Sequence, residues 1–244
     1  MQKFFIPHKL KVTDITHLSD SDSEIAIKHN SLDIEDLVEI ETYEKVFLAQ
    51  ITDITKSSVE IEIVEDKGER INKIQPSITI IQSLSNDSKF NYFLEKSVEI
   101  GVDKIIPIES KYSLKSRNKA IKSFGLWNKI IKDATEQSRT PYPPVLEKPK
   151  KIKDLKNEEL GDSIKVCLAT ENVENVYLNK YLEDVNINKN FTVAIGPEKG
   201  WSSSDIKTFG DLGFDFVKLR GNILRTETAG LVITGIIKYL KGEI

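Results

Sequence analysis

Two short segments concentrate the residues able to do chemistry. The first is Ile195-Gly196-Pro197-Glu198-Lys199-Gly200-Trp201-Ser202, where an apolar strand runs into Gly-Pro-x-x-Gly and then a helix start. Ligand-binding crevices beyond strand carboxyl ends have this layout, and glycine there lets backbone amides approach a ligand closely. A plain turn explains the same residues, so this segment alone decides nothing. The second is Leu219-Arg220-Gly221-Asn222-Ile223-Leu224-Arg225-Thr226-Glu227-Thr228-Ala229-Gly230, which sets an arginine, a glutamate and two threonines at the start of an apolar helix. A structural reading is open here too, with Thr226 as an N-cap, Glu227 complementing the helix dipole and Arg225 as a surface charge. Apolar Ile223-Leu224 just ahead of the charged cluster points instead to a partly buried loop.

Other chemistries find little support. There is no G-x-G-x-x-G at the first strand–helix turn and no Walker lysine loop. His8, His17 and His29 all fall near the start of the chain, remote from the two loops, which disfavours a Ser-His-Asp arrangement. They do not pair with cysteine at zinc spacing, so no metal is expected. The one cysteine, Cys167, lies in the apolar run Val166-Cys167-Leu168-Ala169 and reads as a small buried hydrophobe. An intrachain disulfide is excluded.

The elements that must position the two loops follow from periodicity. Residues 1 to 72 read as short alternating strands: Ser23–Lys28, Leu37–Glu41, Val46–Ile51 and Ser58–Val64. Strands at this spacing indicate a small barrel or sandwich with one acidic, solvated face. The charged stretch Glu65–Lys73 reads as a break, with the domain boundary placed between residues 72 and 73. Beyond it strands and helices alternate. Strands are expected at Ser77–Gln82, Val102–Ile108, Ile164–Ala169, Phe191–Ile195 and Phe214–Leu219, and helices at Phe90–Gly101, Ala120–Ser138, Ser202–Leu212 and Thr228–Leu240. Gly101 is a good C-terminal cap, and Pro141, Pro143 and Pro144 prevent continuation of the second helix. Such alternation predicts an α/β domain with a mostly parallel sheet over residues 73–244.

Composition sets the outer bounds. The 244 residues are 39% hydrophobic, enough for a real core. No stretch approaches the roughly 20 apolar residues that span a bilayer, and the start has no signal-peptide core, so a cytoplasmic location without membrane contact is expected. Lys and Arg total 35 against 38 Asp and Glu, for a net charge of −3. A generic electrostatic nucleic-acid binder is usually basic, so RNA recognition here would rest on local basic patches and shape.

Four segments, in order, resemble the RsmE family, SPOUT-class enzymes that methylate N3 of a uridine in 16S ribosomal RNA. Leu94-Glu95-Lys96-Ser97-Val98-Glu99-Ile100-Gly101-Val102 is similar to the family's Q-K-[AS]-x-E-L-G-V, and Ala134-Thr135-Glu136-Gln137-Ser138-Arg139 to its A-x-E-Q-x-x-R. Ile195–Gly200 is similar to I-G-P-E-G-G, and Ile223–Ala229 matches I-L-R-T-E-T-A without a gap. Departures are Lys199 and Arg220, each where the family has glycine, Asn222 where it has arginine, and Asn86 and Asn91 in place of a basic residue and a glutamate. If position 199 needs positive φ, lysine there is strained.

The resemblance implies a SPOUT domain with a C-terminal trefoil knot, a rare feature, and a PUA-like RNA-binding β-barrel at the N-terminus. It implies a homodimer that acts on 16S ribosomal RNA or the small ribosomal subunit. S-adenosylmethionine would lie against Leu168, Ala169 and Thr170, against Ile195, Gly196, Pro197 and Gly200, and against Leu219, Arg220, Gly221, Ile223, Leu224, Thr228 and Ala229. Arg225, Glu227 and Glu198 are the catalytic candidates, and Lys3, Lys9, Lys28, Lys89, Lys115, Arg117 and Arg139 the RNA-binding ones. The alternatives are a SPOUT enzyme with another RNA target and a non-catalytic RNA-binding relative without affinity for the cofactor.

Overall fold

The computed structural model describes residues 1–6, 8–28, 32–42, 44–69, 78–138, 140, 142–169 and 173–244. The expected boundary and the expected site residues Arg139 and Thr170 lie outside the described residues, as does the side chain of Lys28. The chain divides into two compact units, Met1–Ile74 and Gln75–Ile244.

The first unit comprises β1 (Lys3–Phe5), β2 (Ile15–His17), α1 (Asp20–Lys28), β3 (Leu37–Glu41), β4 (Lys45–Ile54) and β5 (Val59–Glu69). Its sheet has the order β1-β3-β4-β5-β2, with β1 parallel to β3 and the other pairs antiparallel. Alternation does its work here. Val38, Ile40, Phe47, Ala49, Ile51, Val59, Ile61 and Ile63 face inward and are buried. The acidic residues between them meet basic side chains at the surface: Lys3 lies 2.6 Å from Glu39, and the His17 ring 3.7 Å from Glu60.

Two expectations fail in this unit. Ser23–Lys28 is helical rather than extended. Ser19 accepts a bond from the Asp22 amide at 3.1 Å, and Asp20 and Asp22 place acid in the first turn. The buried residues Asp22, Ser23 and Ala26 follow helical spacing, so a six-residue alternation was too short to exclude that period. The described part of the charged run, Glu65–Glu69, is not a break either. It extends β5 to Glu69, opposite Lys45–Leu48 of β4, with Lys45 2.5 Å from Asp66.

The second unit comprises β6 (Ile78–Ser83), α2 (Asp87–Ile100), β7 (Lys104–Glu109), α3 (Arg117–Ser138), β8 (Val145–Leu146), β9 (Lys150–Lys151), β10 (Ser163–Leu168), β11 (Val176–Tyr177), α4 (Leu178–Glu183), β12 (Asn190–Ile195), α5 (Ser203–Asp211), β13 (Asp215–Lys218) and α6 (Thr226–Lys241). The sheet order is β11-β13-β10-β12-β6-β7-β8, with β9 beside β7, and every described pairing is parallel. This is the expected α/β arrangement.

Both faces of the sheet are covered, which is why its strands read as apolar runs. On one side Ile78, Ile80, Val193 and Val217 pack with Phe90, Phe93 and Leu94 of α2, Trp127 of α3 and Ile233 and Ile237 of α6. On the other Ile81, Ile106, Cys167 and Ala194 pack with Trp201, Phe209 and Phe214 around α5. Helix α2 closes on Gly101 as expected. Helix α6 begins at Thr226, two residues before the expected start, so Thr226 and Glu227 belong to its first turn.

Candidate functional site

The carboxyl ends of β10 and β12 and the start of α6 enclose a cleft of about 580 Å³. Its walls are Leu168 and Ala169, the whole of Ile195–Trp201, Ile223–Thr226, Ala229, and Lys89 from α2. The parallel sheet brings these ends together, because β10 and β12 are neighbours and Cys167 lies opposite Ala194.

The loop after β12 is shaped by its own residues. The Gly200 amide donates to the Pro197 carbonyl at 2.8 Å, and Gly200 holds a φ of +71°. Gly200 therefore supplies the left-handed residue, and Lys199 escapes that strain because it is not among the positive-φ residues. Ser202 then caps α5: its amide donates to Asp205 at 3.0 Å, and its hydroxyl accepts from the Asp205 amide at 3.3 Å. Trp201 folds back between them. Its indole N–H donates to the Leu168 carbonyl at 3.0 Å, and its ring meets Phe209 edge-on at 4.8 Å. A Cβ on residue 196 would stand 3.1 Å from the Trp201 ring, so any other residue would have to push the indole back by a few tenths of an ångström.

The loop before α6 carries the reactive side chains. Arg225 is the N-cap residue, its side chain 76% exposed, with Nη1 3.9 Å from Glu227 Oε1. Glu227 is buried, and its Oε2 has no hydrogen-bond partner. The first turn of a helix favours a carboxylate at that position. Thr226 is not the cap. Its hydroxyl donates to the Gly196 carbonyl at 2.6 Å and accepts from Gln82 Nε2 at 2.9 Å. The loop is less buried than expected: Leu224 is partly covered, while Arg220–Ile223 and Arg225 are exposed, Ile223 to 95% at the cleft edge.

The other expected residues are distributed as follows. Glu198 reaches the cleft but is ion-paired with Lys89. Leu219 and Arg220 line a separate apolar groove with Leu178, Leu182, Val232 and Ile236, while Gly221 and Thr228 line neither space. The Arg220 guanidinium lies 4.5 Å from the centre of the Tyr177 ring, and Lys218 stands over the same ring at 4.6 Å. Lys115 is buried, ion-paired with Asp87, bonded to Ser123 at 2.7 Å and 5.5 Å from the Trp127 ring. Arg117 donates to the Pro149 carbonyl at 3.1 Å. In the first unit Lys9 pairs with Glu44 at 3.0 Å and shares a groove with His8, Lys11 and Lys45. Cys167 is buried against this site, and burial pushes its thiol well above its ordinary range, with the Asp205 charge adding to the effect. It is no nucleophile.

Comparison with known proteins accords with this geometry. The RNA methyltransferase domain family matches residues 51–238. The ribosomal RNA small subunit methyltransferase E of Aquifex aeolicus is 31% identical over 201 residues, covering 79% of this chain and 81% of its own length. The chain belongs to the ribosomal RNA small subunit methyltransferase E family. Among solved structures, the family's protein from Neisseria gonorrhoeae bound to S-adenosyl methionine is 25% identical, with a TM-score of 0.70 over 98% of each chain. A probable rRNA-methyltransferase from Porphyromonas gingivalis shares the fold, at 24% identity and a TM-score of 0.73 over 99% of each chain.

Within this RsmE frame the two glycine departures have different consequences. Lys199 lines the cleft from its exposed side, so it adds a cation at the mouth. Arg220 turns to Tyr177 and does not line the cleft at all. Trp201 and Gln82 were not singled out by sequence reasoning. A buried glutamine within an apolar strand and a tryptophan just after a glycine loop were the signals available.

Proposed function

We propose that this protein transfers a methyl group from S-adenosylmethionine to N3 of a uridine in 16S ribosomal RNA, working as a homodimer on the RNA or the small subunit. The single observation that supports this most is the cleft. Its size suits a small-molecule site, and its walls combine backbone and apolar side chains from three neighbouring chain segments with the charged side chains Lys89, Glu198, Lys199 and Arg225.

The cleft fits that cofactor on its own chemistry. Leu168, Ala169, Ile195, Leu224 and Ala229 offer apolar contact to a flat base, and Gly196 and Gly200 keep the wall free of side chains. Lys89, Lys199 and Arg225 set positive charge at the mouth, where a carboxylate or an RNA phosphate would be held. When bound, S-adenosylmethionine supplies an electrophilic methyl group on its sulfonium. The protein's own task is to align uracil N3 with that methyl and to manage the N3 proton. Arg225, exposed at the head of α6, stabilises the charge that develops on a uracil oxygen as N3 gives up its proton. Glu227, buried behind the cleft wall, orients the guanidinium through Oε1, and the N3 proton passes to water at the cleft mouth. Glu198, tied to Lys89, fixes that lysine at the mouth.

The first unit, read as a PUA-like barrel, presents Lys9 with His8, Lys11 and Lys45 to RNA phosphates. Lys3, held by Glu39, and Arg117 are further contacts. Lys115 drops out because its charge is already buried and paired. The trefoil knot belongs to this reading, with the segments on either side of the cleft threaded through one another. So does dimerisation through α6, which leaves Val232, Tyr239 and Leu240 exposed beside partly covered Leu231 and Ile236.

Mass mapping of 16S ribosomal RNA tests the proposal. Cells lacking the protein should show one unmethylated uridine, restored at N3 by purified protein with S-adenosylmethionine. An unchanged methylation map would refute it.

A further inference from the structure

Gln82 lies near the carboxyl end of β6, the strand between β12 and β7, and is 1% exposed. A neutral amide in the middle of an apolar sheet calls for a reason. Its Nε2 donates to the Thr226 hydroxyl at 2.9 Å, and that hydroxyl donates to the Gly196 carbonyl at 2.6 Å. The amide oxygen has no partner.

The direction of this relay follows from counting protons. A hydroxyl has a single proton to give. With Gln82 N–H on its lone pair, the Thr226 proton is committed to Gly196. If the amide were reversed, the Gln82 oxygen and the Gly196 carbonyl would compete for that proton. One acceptor must then go unpaired in either arrangement. In the structure it is the Gln82 oxygen, buried away from the cleft, and not the carbonyl of Gly196 in the cleft wall.

We propose that Gln82 is a positioning residue for the methyl donor. Through Thr226 it locks the orientation of the Gly196 peptide and joins three elements at the cleft: the end of β6, the loop after β12 and the head of α6. Gln82 does not line the cleft, so it acts only through Thr226 and Gly196. The inference rests on the cofactor reading given above.

Calorimetric titration of the full-length protein with S-adenosylmethionine tests it, with melting temperatures followed in parallel. Gln82→Met keeps the length of the side chain but removes the N–H, so the Thr226 hydroxyl loses the donor that holds it on Gly196. It should weaken binding at least tenfold. Thr226→Val should do the same, whereas Thr226→Ser, which keeps the hydroxyl, should stay within about threefold of wild type. The double variant Gln82→Met/Thr226→Val should bind no more weakly than Thr226→Val alone, because the relay is already cut. In methyl-transfer assays the loss should appear in KM for the donor more than in kcat. Wild-type affinity in folded Gln82→Met, or independent additive losses in the double variant, would overturn the inference. If Gln82→Met fails to fold, Thr226→Val against Thr226→Ser decides, and equal binding by those two would overturn it. A wild-type protein that binds no S-adenosylmethionine would instead overturn the cofactor reading itself.

Discussion

Arg225 and Glu227 are two positions apart and sit in opposite environments. The arginine is held by one distant carboxylate oxygen and is otherwise open to solvent, while the glutamate is buried with an unpaired oxygen. An exposed N-cap side chain contributes little to stability, so its loss should be read in chemistry. Arg225→Ala should fold with an unchanged melting temperature and lose methyl transfer roughly 10²- to 10³-fold in kcat, the scale for removing one charge-stabilising donor. Full turnover by the folded variant would remove its assigned role. At this scale the sequence was informative wherever a motif is contiguous. Ile195–Gly200 and Ile223–Leu224 do line the cleft, and their resemblance to RsmE is upheld by the comparisons. It was uninformative where a role arises across the fold: Gln82 meets Thr226 across 144 positions, and Trp201 meets Leu168 across 33. Lys115 shows the converse. A lysine in a basic run reads as solvated, and only packing with Trp127 and Asp87 takes it inside.

Helix α5 holds the cleft loop from its far end. The reciprocal bonds between Ser202 and Asp205 fix where the helix begins and hence where Trp201 must turn. Ser202→Ala should cost about 1 kcal/mol, the usual value of such a cap, seen as a lower denaturation midpoint with an unchanged slope. No shift at all would mean that Trp201 packing alone sets the loop. The longer elements of the second unit were legible because β6, β7 and β12 are buried on both faces and α2, α3 and α6 carry long apolar stripes. The 14 residues of α2 and the 22 of α3 hold a consistent period that leaves little ambiguity, whereas the six residues of α4 were not read as a helix. In α1 the nine residues contain too few turns for periodicity to arbitrate, and the decisive feature is the Ser19 cap outside the stretch that alternates. The two-residue strands β8, β9 and β11 have no periodicity to read.

For the molecule as a whole, net charge of −3 and a methyl-transfer role on RNA are compatible because the cations are placed locally. Lys89, Lys199 and Arg225 ring the cleft mouth, and Lys218 and Arg220 share one tyrosine ring at the edge of the sheet. Among the described residues no helix is long and apolar enough to cross a membrane. The exposed apolar residues Val232, Tyr239 and Leu240 of α6 are the face that the proposed dimer would cover. Sedimentation should find a dimer at micromolar concentration, and Val232→Asp with Tyr239→Glu should shift it to monomer without unfolding. A wild-type monomer at that concentration would remove the dimer from the proposed mechanism. The central claim is that the strand-end cleft receives the methyl donor, and hydrogen–deuterium exchange with and without S-adenosylmethionine tests it most directly. Protection should concentrate in residues 168–169, 195–201 and 223–229, with the first unit unchanged. Saturating S-adenosylmethionine that leaves all three segments exchanging as before would contradict it.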